Sequence, residues 1–347
     1  MNLQSLTRAA PSSPAARKGT VEPMEYTSLG YSGLLVSALG IGCNAFGRRV
    51  DQDGVNALVG SALEQGVNFF DTADSYGAGT SETMLGKALA GHRDEVIIAT
   101  KFGMDLGGLY PGALENRASR GYIQRAVEGS LTRLGTDHID LYQLHTPDRI
   151  TPIEETLSAL TDLVNAGKVR YIGCSNFASW EVADAAAVAD AIGAEHFITA
   201  QNEYSLYNRS AEAELVPALS HYGMSLIPYF PLAYGLLTGK YGRGEAAPAG
   251  SRLAKETARF DGANWDIVEG IRGFARERGI SMLDVALGGL RTQPAVDVII
   301  AGATRAEQVQ ANAKSVQWVP KPDDLDALDA IVPPASGTGY LTFATAR

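Results

Sequence analysis

Groups able to move a proton stand at or just past the ends of three successive apolar runs. Val67–Asp71 closes as Phe69-Phe70-Asp71 and is followed by Thr72-Ala73-Asp74-Ser75-Tyr76. Val96–Lys101 closes as Ile98-Ala99-Thr100-Lys101, and Ile139–Leu144 is followed directly by His145. A charge at the end of an apolar strand is costly unless it is paired or used. One by one these residues also fit an Asp71–Lys101 ion pair with a satisfied histidine beside it; the ordered set of four favours chemistry. A phenol titrates at roughly 10, too high for an efficient acid–base group at neutral pH. Lys101 close to the Tyr76 hydroxyl is expected to favour the phenolate and pull that value down. Asp71 would neutralise and hold the lysine, and His145 would donate to a carbonyl oxygen on which negative charge develops. Such a set delivers a proton to a carbonyl. A Schiff-base role for Lys101, as in a barrel lyase, aldolase or isomerase, is the rival chemistry, and it leaves Asp71 and Tyr76 less well explained.

For these residues to meet, the three runs must be neighbouring strands that end on the same side. The pattern that surrounds them repeats: a short β-branched run, a polar or glycine-rich loop, then a periodic helix. The expected strands are Leu39–Gly42, Val67–Asp71, Val96–Lys101, Ile139–Leu144, Val169–Ser175, Ile198–Gln201, Ser225–Pro228 and Val298–Gly302. Helical patterns lie between them at about 53–65, 80–90, 119–134, 152–166, 178–192, 211–222, 264–292 (broken near Gly279), 305–317 and 322–332. In 152–166, Thr151 can cap, Pro152 sits in the first turn, Ile153, Leu157, Leu160 and Val164 share a face, and Gly167 ends the helix. Eight strand–helix units predict an α/β fold, a closed (β/α)8 TIM barrel, with an N-terminal β-hairpin over Met24–Val36. Long loops at 103–118 and 230–262 follow strands three and seven, on the face where barrels carry their sites. The second holds Gly235, Gly239, Gly242, Gly244 and Gly250, which suits a segment that folds over a ligand; a tolerated insertion is the alternative. The expected organisation is a disordered leader over 1–23, one barrel over 24–335, and a tail over 336–347 near the substrate.

Bulk composition narrows the setting. The chain has 347 residues, a formal charge of −10 and two cysteines, Cys43 and Cys174. The acidic balance argues against a nucleic-acid partner, and two cysteines without a framework point to a reducing, cytoplasmic compartment. No apolar stretch is long enough for a membrane span, and His92, His138, His145, His196 and His221 lack metal-site spacing, so no metal is expected. Trp180, Trp265 and Trp318 are expected to be packing anchors.

A nucleotide site would have to use the remaining strand ends, because no GxGxxG after a strand and no GxxxxGK[ST] is present. Ser175 and Asn176 after strand five and Gln201 after strand six suit a carboxamide ring, and Tyr229 after strand seven offers a flat face for stacking. Gly302-Ala303-Thr304-Arg305 leads into a helix whose N-terminus and arginine favour a phosphate, and Lys240 could reach a pyrophosphate. Tyr229 also suits core filling, and Arg305 an ordinary surface position.

These residues resemble the aldo-keto reductase family, in particular the branch with general stress proteins, sugar-aldehyde reductases and potassium-channel β subunits. The resemblance runs from about Leu29 to Ile331. It is carried by the run Asn68–Gly77 with Ser81-Glu82, by Ala99-Thr100-Lys101 and Asp140–His145, and by Gly167–Phe177 and Gly235–Lys240. It implies a complete catalytic set in Asp71, Tyr76, Lys101 and His145, and a nicotinamide amide held by Ser175, Asn176 and Gln201 with Tyr229 stacked on the ring. It also implies cofactor contacts from Leu232, Gly235 and Lys240, and from Gly302, Thr304, Arg305, Gln308 and Asn312. The implied reaction is hydride transfer from NADPH, with NADH possible, to a small aldehyde or ketone by a monomer or homo-oligomer. A nicotinamide-binding regulatory subunit with slow turnover is the implied alternative. Phe230 stands where serine is common, Tyr234 where arginine or glutamine is common, and Ala301 where proline is common. The first two are expected to remove a hydroxyl and a positive charge from the cofactor phosphates. The mouth is expected to be shaped by Tyr110, Phe260, Tyr340 and Phe343, which suits an apolar, aromatic or sugar-derived aldehyde.

Overall fold

The computed structural model describes residues 23–106, 110 and 115–336. The leader up to residue 22, parts of the 103–118 loop, and the tail from residue 337 with Tyr340 and Phe343 lie outside the described residues.

A hairpin of β1 (Tyr26–Ser28) and β2 (Leu35–Ser37) precedes eight parallel strands. These are β3 (Leu39–Gly42), β4 (Phe69–Asp71), β5 (Ile97–Phe102), β6 (Ile139–Leu144), β7 (Val169–Ser175), β8 (Phe197–Glu203), β9 (Ser225–Tyr229) and β10 (Ile299–Gly302). The spatial order is β10-β3-β4-β5-β6-β7-β8-β9, so each strand pairs with its sequence neighbour and β10 returns to β3. The ring closes between β9 and β10 only through a single bridge, Leu226–Val296, with the Leu226 N–H donating to the Ala295 carbonyl at 2.7 Å. The result is the (β/α)8 barrel that the repeat predicts. Strands β5 and β6 are buried at every position, because helices cover one face and the barrel interior the other.

The helices are α1 (Gln52–Glu64), α2 (Thr80–Ala88), α3 (Arg120–Leu134), α4 (Ile153–Asn165), α5 (Ser179–Ile192), α6 (Leu215–Tyr222), α7 (Thr257–Asp261), α8 (Trp265–Glu277), α9 (Met282–Arg291), α10 (Ala306–Ser315) and α11 (Pro322–Ile331). Helix α3 shows how local chemistry sets their limits. The Ser119 hydroxyl accepts from the Tyr122 N–H at its start, and Gly135 ends it in the left-handed region with φ 66°. Helix α4 departs from expectation at its start: Pro152 occupies the cap position, and the Thr151 hydroxyl donates instead to Asp148. The break near Gly279 separates α8 from α9, while α7 is a short helix inside the 230–262 loop.

Two apolar clusters support this arrangement. The larger lies between sheet and helices. The smaller fills the barrel, where Leu29, Leu34 and Val36 of the hairpin region meet Phe69, Ala99, Leu141 and Ile300 and close the bottom. Gly30 makes this plug possible: it sits at φ 55°, and a β-carbon there would lie 2.6 Å from the Ile198 carbonyl oxygen. Trp180 is not an anchor. It is 65% exposed near the start of α5, whereas Trp265 and Trp318 pack against the core.

Candidate active site

Asp71 is the last residue of β4, Lys101 lies one residue before the end of β5, and His145 follows β6, so adjacent strands bring them to one end of the barrel. The Lys101 ammonium uses its three protons on three oxygens: Asp71 Oδ2 at 2.7 Å, the Thr72 carbonyl at 2.9 Å and the Tyr76 hydroxyl at 3.3 Å. Asp71 and Lys101 are almost fully buried. Burial opposes the ammonium, but the Asp71 carboxylate and the Tyr76 oxygen outweigh it, and the Lys101 pKa lies above its ordinary value.

The Tyr76 shift runs opposite to expectation. Its pKa is raised, because burial of the phenol outweighs the lowering effect of Lys101 and Asp71 adds a further upward push. The sequence shows the neighbour but not the depth of burial. The His145 ring stands edge-on to Tyr76 with centroids 5.9 Å apart, and the Ser75 hydroxyl lies 3.4 Å from His145 Nδ1. Burial and then the charge of Lys101 push His145 down to about 3, so its imidazole is neutral near pH 7.

Behind this set, Asp71 Oδ1 accepts from Gln201 Nε2 at 2.8 Å and from Gln143 Nε2 at 3.4 Å. Gln143 escaped the sequence reading. Its signal was an amide in the middle of the apolar strand 139–144, two residues before His145. Gln201, expected at a carboxamide, is thus also tied to the Asp71 carboxylate.

Tyr76, His145 and Asp71 open onto a cleft of about 890 Å³, a volume that suits a cofactor with a small substrate. Ser175, Asn176, Gln201 and Tyr229 form its inner wall and are joined to one another. The Ser175 hydroxyl donates to the Gln201 carbonyl at 2.7 Å, and the Tyr229 hydroxyl donates to Asn176 Oδ1 at 2.9 Å. Asn176 takes the left-handed backbone (φ 59°), which aims its amide at the His145 carbonyl, 2.9 Å away. Leu232, Gly235 and Lys240 line one lip; Gly302, Thr304, Arg305, Gln308 and Asn312 line the other. Arg305 occupies the N-cap position of α10 without a side-chain capping bond, and Gln308 Oε1 accepts from the Thr304 N–H and hydroxyl at 2.8 and 3.1 Å. Asn312 Nδ2 is buried in the lip without a partner.

Residues 38–333 match the family model described as the Aldo/keto reductase family. The chain belongs to that family. It is 37% identical over 322 residues to "Uncharacterized oxidoreductase YrpG" of Bacillus subtilis, covering 90% of this chain and 98% of that protein. It is 35% identical over 323 residues to "Probable voltage-gated potassium channel subunit beta" of Oryza sativa, covering 89% and 97%. It is also 35% identical over 333 residues to "Versiconal hemiacetal acetate reductase" of Aspergillus parasiticus, covering 88% and 96%. Family and named relatives support carbonyl reduction as the general activity, and the family generally uses NAD(P)H.

In this aldo/keto reductase the departures at 230 and 234 take on a second meaning. Phe230, Ala233 and Tyr234 adopt φ of 54°, 45° and 59°, so the loop after β9 turns sharply and lays out two aromatic faces. Arg252 lies 4.9 Å from both ring centroids, and Arg259 lies 3.4 Å from that of Tyr234. Glu256 accepts from Arg252 Nε at 2.9 Å and Arg259 Nε at 3.1 Å. The aromatic rings at 230 and 234 thus hold two guanidinium groups beside the cleft, of which Arg252 lines it. Two aromatic residues expected at the mouth lie elsewhere. Tyr110 turns inward to Arg133 and Asp74, and Phe260 packs on Tyr241 and Trp265. Among the described residues no helix is long and apolar enough to cross a membrane, and no group of three or more His, Cys, Asp or Glu is placed to hold a metal.

Proposed function

We propose that the chain reduces a small aldehyde or ketone with NADPH, Tyr76 supplying the proton. The observation that carries this reading is the Lys101 ammonium, which donates to Asp71 and to a Tyr76 hydroxyl that faces the cleft. The donor set fits a dinucleotide. Amides at Asn176 and Gln201 suit a carboxamide, the Tyr229 ring suits stacking, and the orphaned Asn312 amide suits a purine edge. Arg49, Lys240, Arg252 and Arg305 line the cleft of a chain whose net charge is −10, which favours the extra phosphate of NADPH over NADH.

A reduced nicotinamide held by Ser175, Asn176, Gln201 and Tyr229 would supply hydride for the carbonyl carbon. This chain's residues do the rest. Tyr76 is protonated at neutral pH and can donate to the carbonyl oxygen; its raised pKa makes it a weaker acid, so the transfer depends on the Lys101 ammonium beside it. Lys101 stabilises the phenolate left behind, and Asp71 keeps the lysine charged and in place. Neutral His145, with Nδ1 engaged by Ser75, has Nε2 for a hydrogen bond to the same oxygen.

The test follows loss of the reduced cofactor's near-ultraviolet absorbance over a panel of aldehydes, ketones and sugars, with NADPH and NADH in parallel. Turnover with NADPH is expected. Relatives named as potassium-channel β subunits favour a second reading, a nicotinamide-binding regulatory subunit with slow turnover. Tight NADPH binding without turnover on any carbonyl would select it.

The stacked arginines give a separate prediction. Tyr234→Ala removes a face shared by Arg252 and Arg259, and NADPH affinity should fall about 10-fold, roughly 1.4 kcal/mol, with little change in kcat. Fluorescence titration measures this; an unchanged Kd would remove the stack from cofactor retention.

A further inference from the structure

The turn that carries Tyr76 is backed by a buried ionisable cluster that the reaction does not use. Asp74 is fully buried, and its N–H donates to the Lys101 carbonyl at 3.2 Å. Its Oδ2 accepts from the Tyr110 hydroxyl at 3.2 Å, while its Oδ1 has no partner. Glu82 of α2, also fully buried, accepts from the Thr100 hydroxyl at 2.6 Å and from Arg133 Nε at 2.7 Å. Arg133 of α3 meets Asp74 only through the Tyr110 hydroxyl, to which its Nη2 donates at 3.0 Å. Tyr122 of α3 stacks edge-on against Tyr110, and Tyr142 of β6 has a buried hydroxyl without a partner.

Two buried carboxyl groups thus lie near one guanidinium, and that guanidinium is paired with Glu82. A second carboxylate there would be a buried charge with no ion pair of its own. Burial first, then the charge of Glu82, push Asp74 up to about 8, against the opposing pull of Arg133, the Tyr110 hydroxyl and the Ser75 N–H.

We propose that Asp74 holds a proton at neutral pH and is a pH-sensitive positioning residue for the turn that presents Tyr76. As a neutral acid it accepts from the Tyr110 hydroxyl without adding a second buried charge, and it leaves the Glu82–Arg133 pair undisturbed. Once ionised it repels Glu82 across the pocket. The turn that must then yield contains the Thr72 carbonyl and the Tyr76 hydroxyl, both held by the Lys101 ammonium. Its displacement separates donor from acceptor at the Tyr76–Lys101 contact, so kcat/KM should fall as Asp74 loses its proton.

The folded pKa of about 8 exceeds the ordinary 3.8, so the stability linked to this group is full below the ordinary value and declines as pH rises toward 8. Asp74→Asn, of the same shape and always neutral, removes that decline. Its melting temperature minus the wild-type value should climb from about pH 5 to about pH 8 and level off above. Infrared spectroscopy of the whole protein should show a protonated-carboxyl stretch at neutral pH that vanishes on alkaline titration and is missing from Asp74→Asn. With 4-nitrobenzaldehyde and NADPH, the alkaline fall of kcat/KM should move upward by at least about one pH unit in Asp74→Asn.

A wild-type spectrum with no such stretch overturns the proposal, whether or not the variant folds. So does a stretch that survives in Asp74→Asn, or identical kinetic profiles for the two proteins. The kinetic arm rests on the reductase reading. Wild-type protein inactive on every carbonyl would sink that reading alone, and the infrared and melting arms would still decide where the proton sits.

Discussion

Replacing Tyr76 by phenylalanine is expected to lower kcat by about 10²–10⁴-fold while NADPH affinity stays close to wild type. The ring is retained, and with it the edge-on contact to His145 at 5.9 Å. Only the hydroxyl is lost, and Lys101 keeps its bonds to Asp71 Oδ2 and the Thr72 carbonyl. The variant should fold, bind cofactor and fail at proton delivery. Steady-state kinetics beside a cofactor titration separate these effects. Wild-type turnover in the purified variant would end the case for the phenol as acid.

The second large effect concerns the ion pair beneath that phenol. Lys101→Met leaves the Asp71 carboxylate buried, with the amides of Gln143 and Gln201 as its remaining donors. Removing one partner of a buried pair destabilises a fold by about 3–5 kcal/mol, because the other charge is left uncompensated. The unpaired carboxyl should take up a proton on folding. Stability of the variant, measured by urea unfolding, should therefore rise as pH falls, by linkage. Adding Asp71→Leu removes the stranded charge and should recover part of the loss. Turnover should not recover, since no cation is left to stabilise the phenolate. Equal stability of the single and double variants would contradict this account.

Much of the site could be read from residue order because a parallel barrel converts chain order into spatial order. Asp71, Lys101 and His145 close successive strands, so naming the strand ends named the cluster. The same logic placed Ser175, Gln201, Tyr229 and Gly302 around one cleft. Properties that depend on depth or on distant loops were not readable. Whether the Tyr76 pKa rises or falls turns on how much water reaches the phenol, which no local pattern encodes. The guanidinium groups on Tyr234 come from residues 252 and 259, beyond a long glycine-rich stretch whose path cannot be inferred. Tyr110 read as a mouth residue because its loop follows a strand end, yet its hydroxyl found a buried carboxyl instead. Helix α5 is so rich in alanine that no face stands out, which left Trp180 free to be misjudged.

The barrel's closure also matters for how the protein comes apart. Seven neighbouring strand pairs are laced by ladders, whereas β9 meets the chain before β10 at one bridge. A hoop with one unlaced joint is expected to open there first. That joint lies beneath the two lips of the cleft, one running on from β9 through Phe230 and Gly235, the other from β10 through Gly302 and Arg305. A dinucleotide spanning both lips would act as a stitch across the gap. Amides on either side should exchange with deuterium soonest in the empty protein and slow most when it is filled.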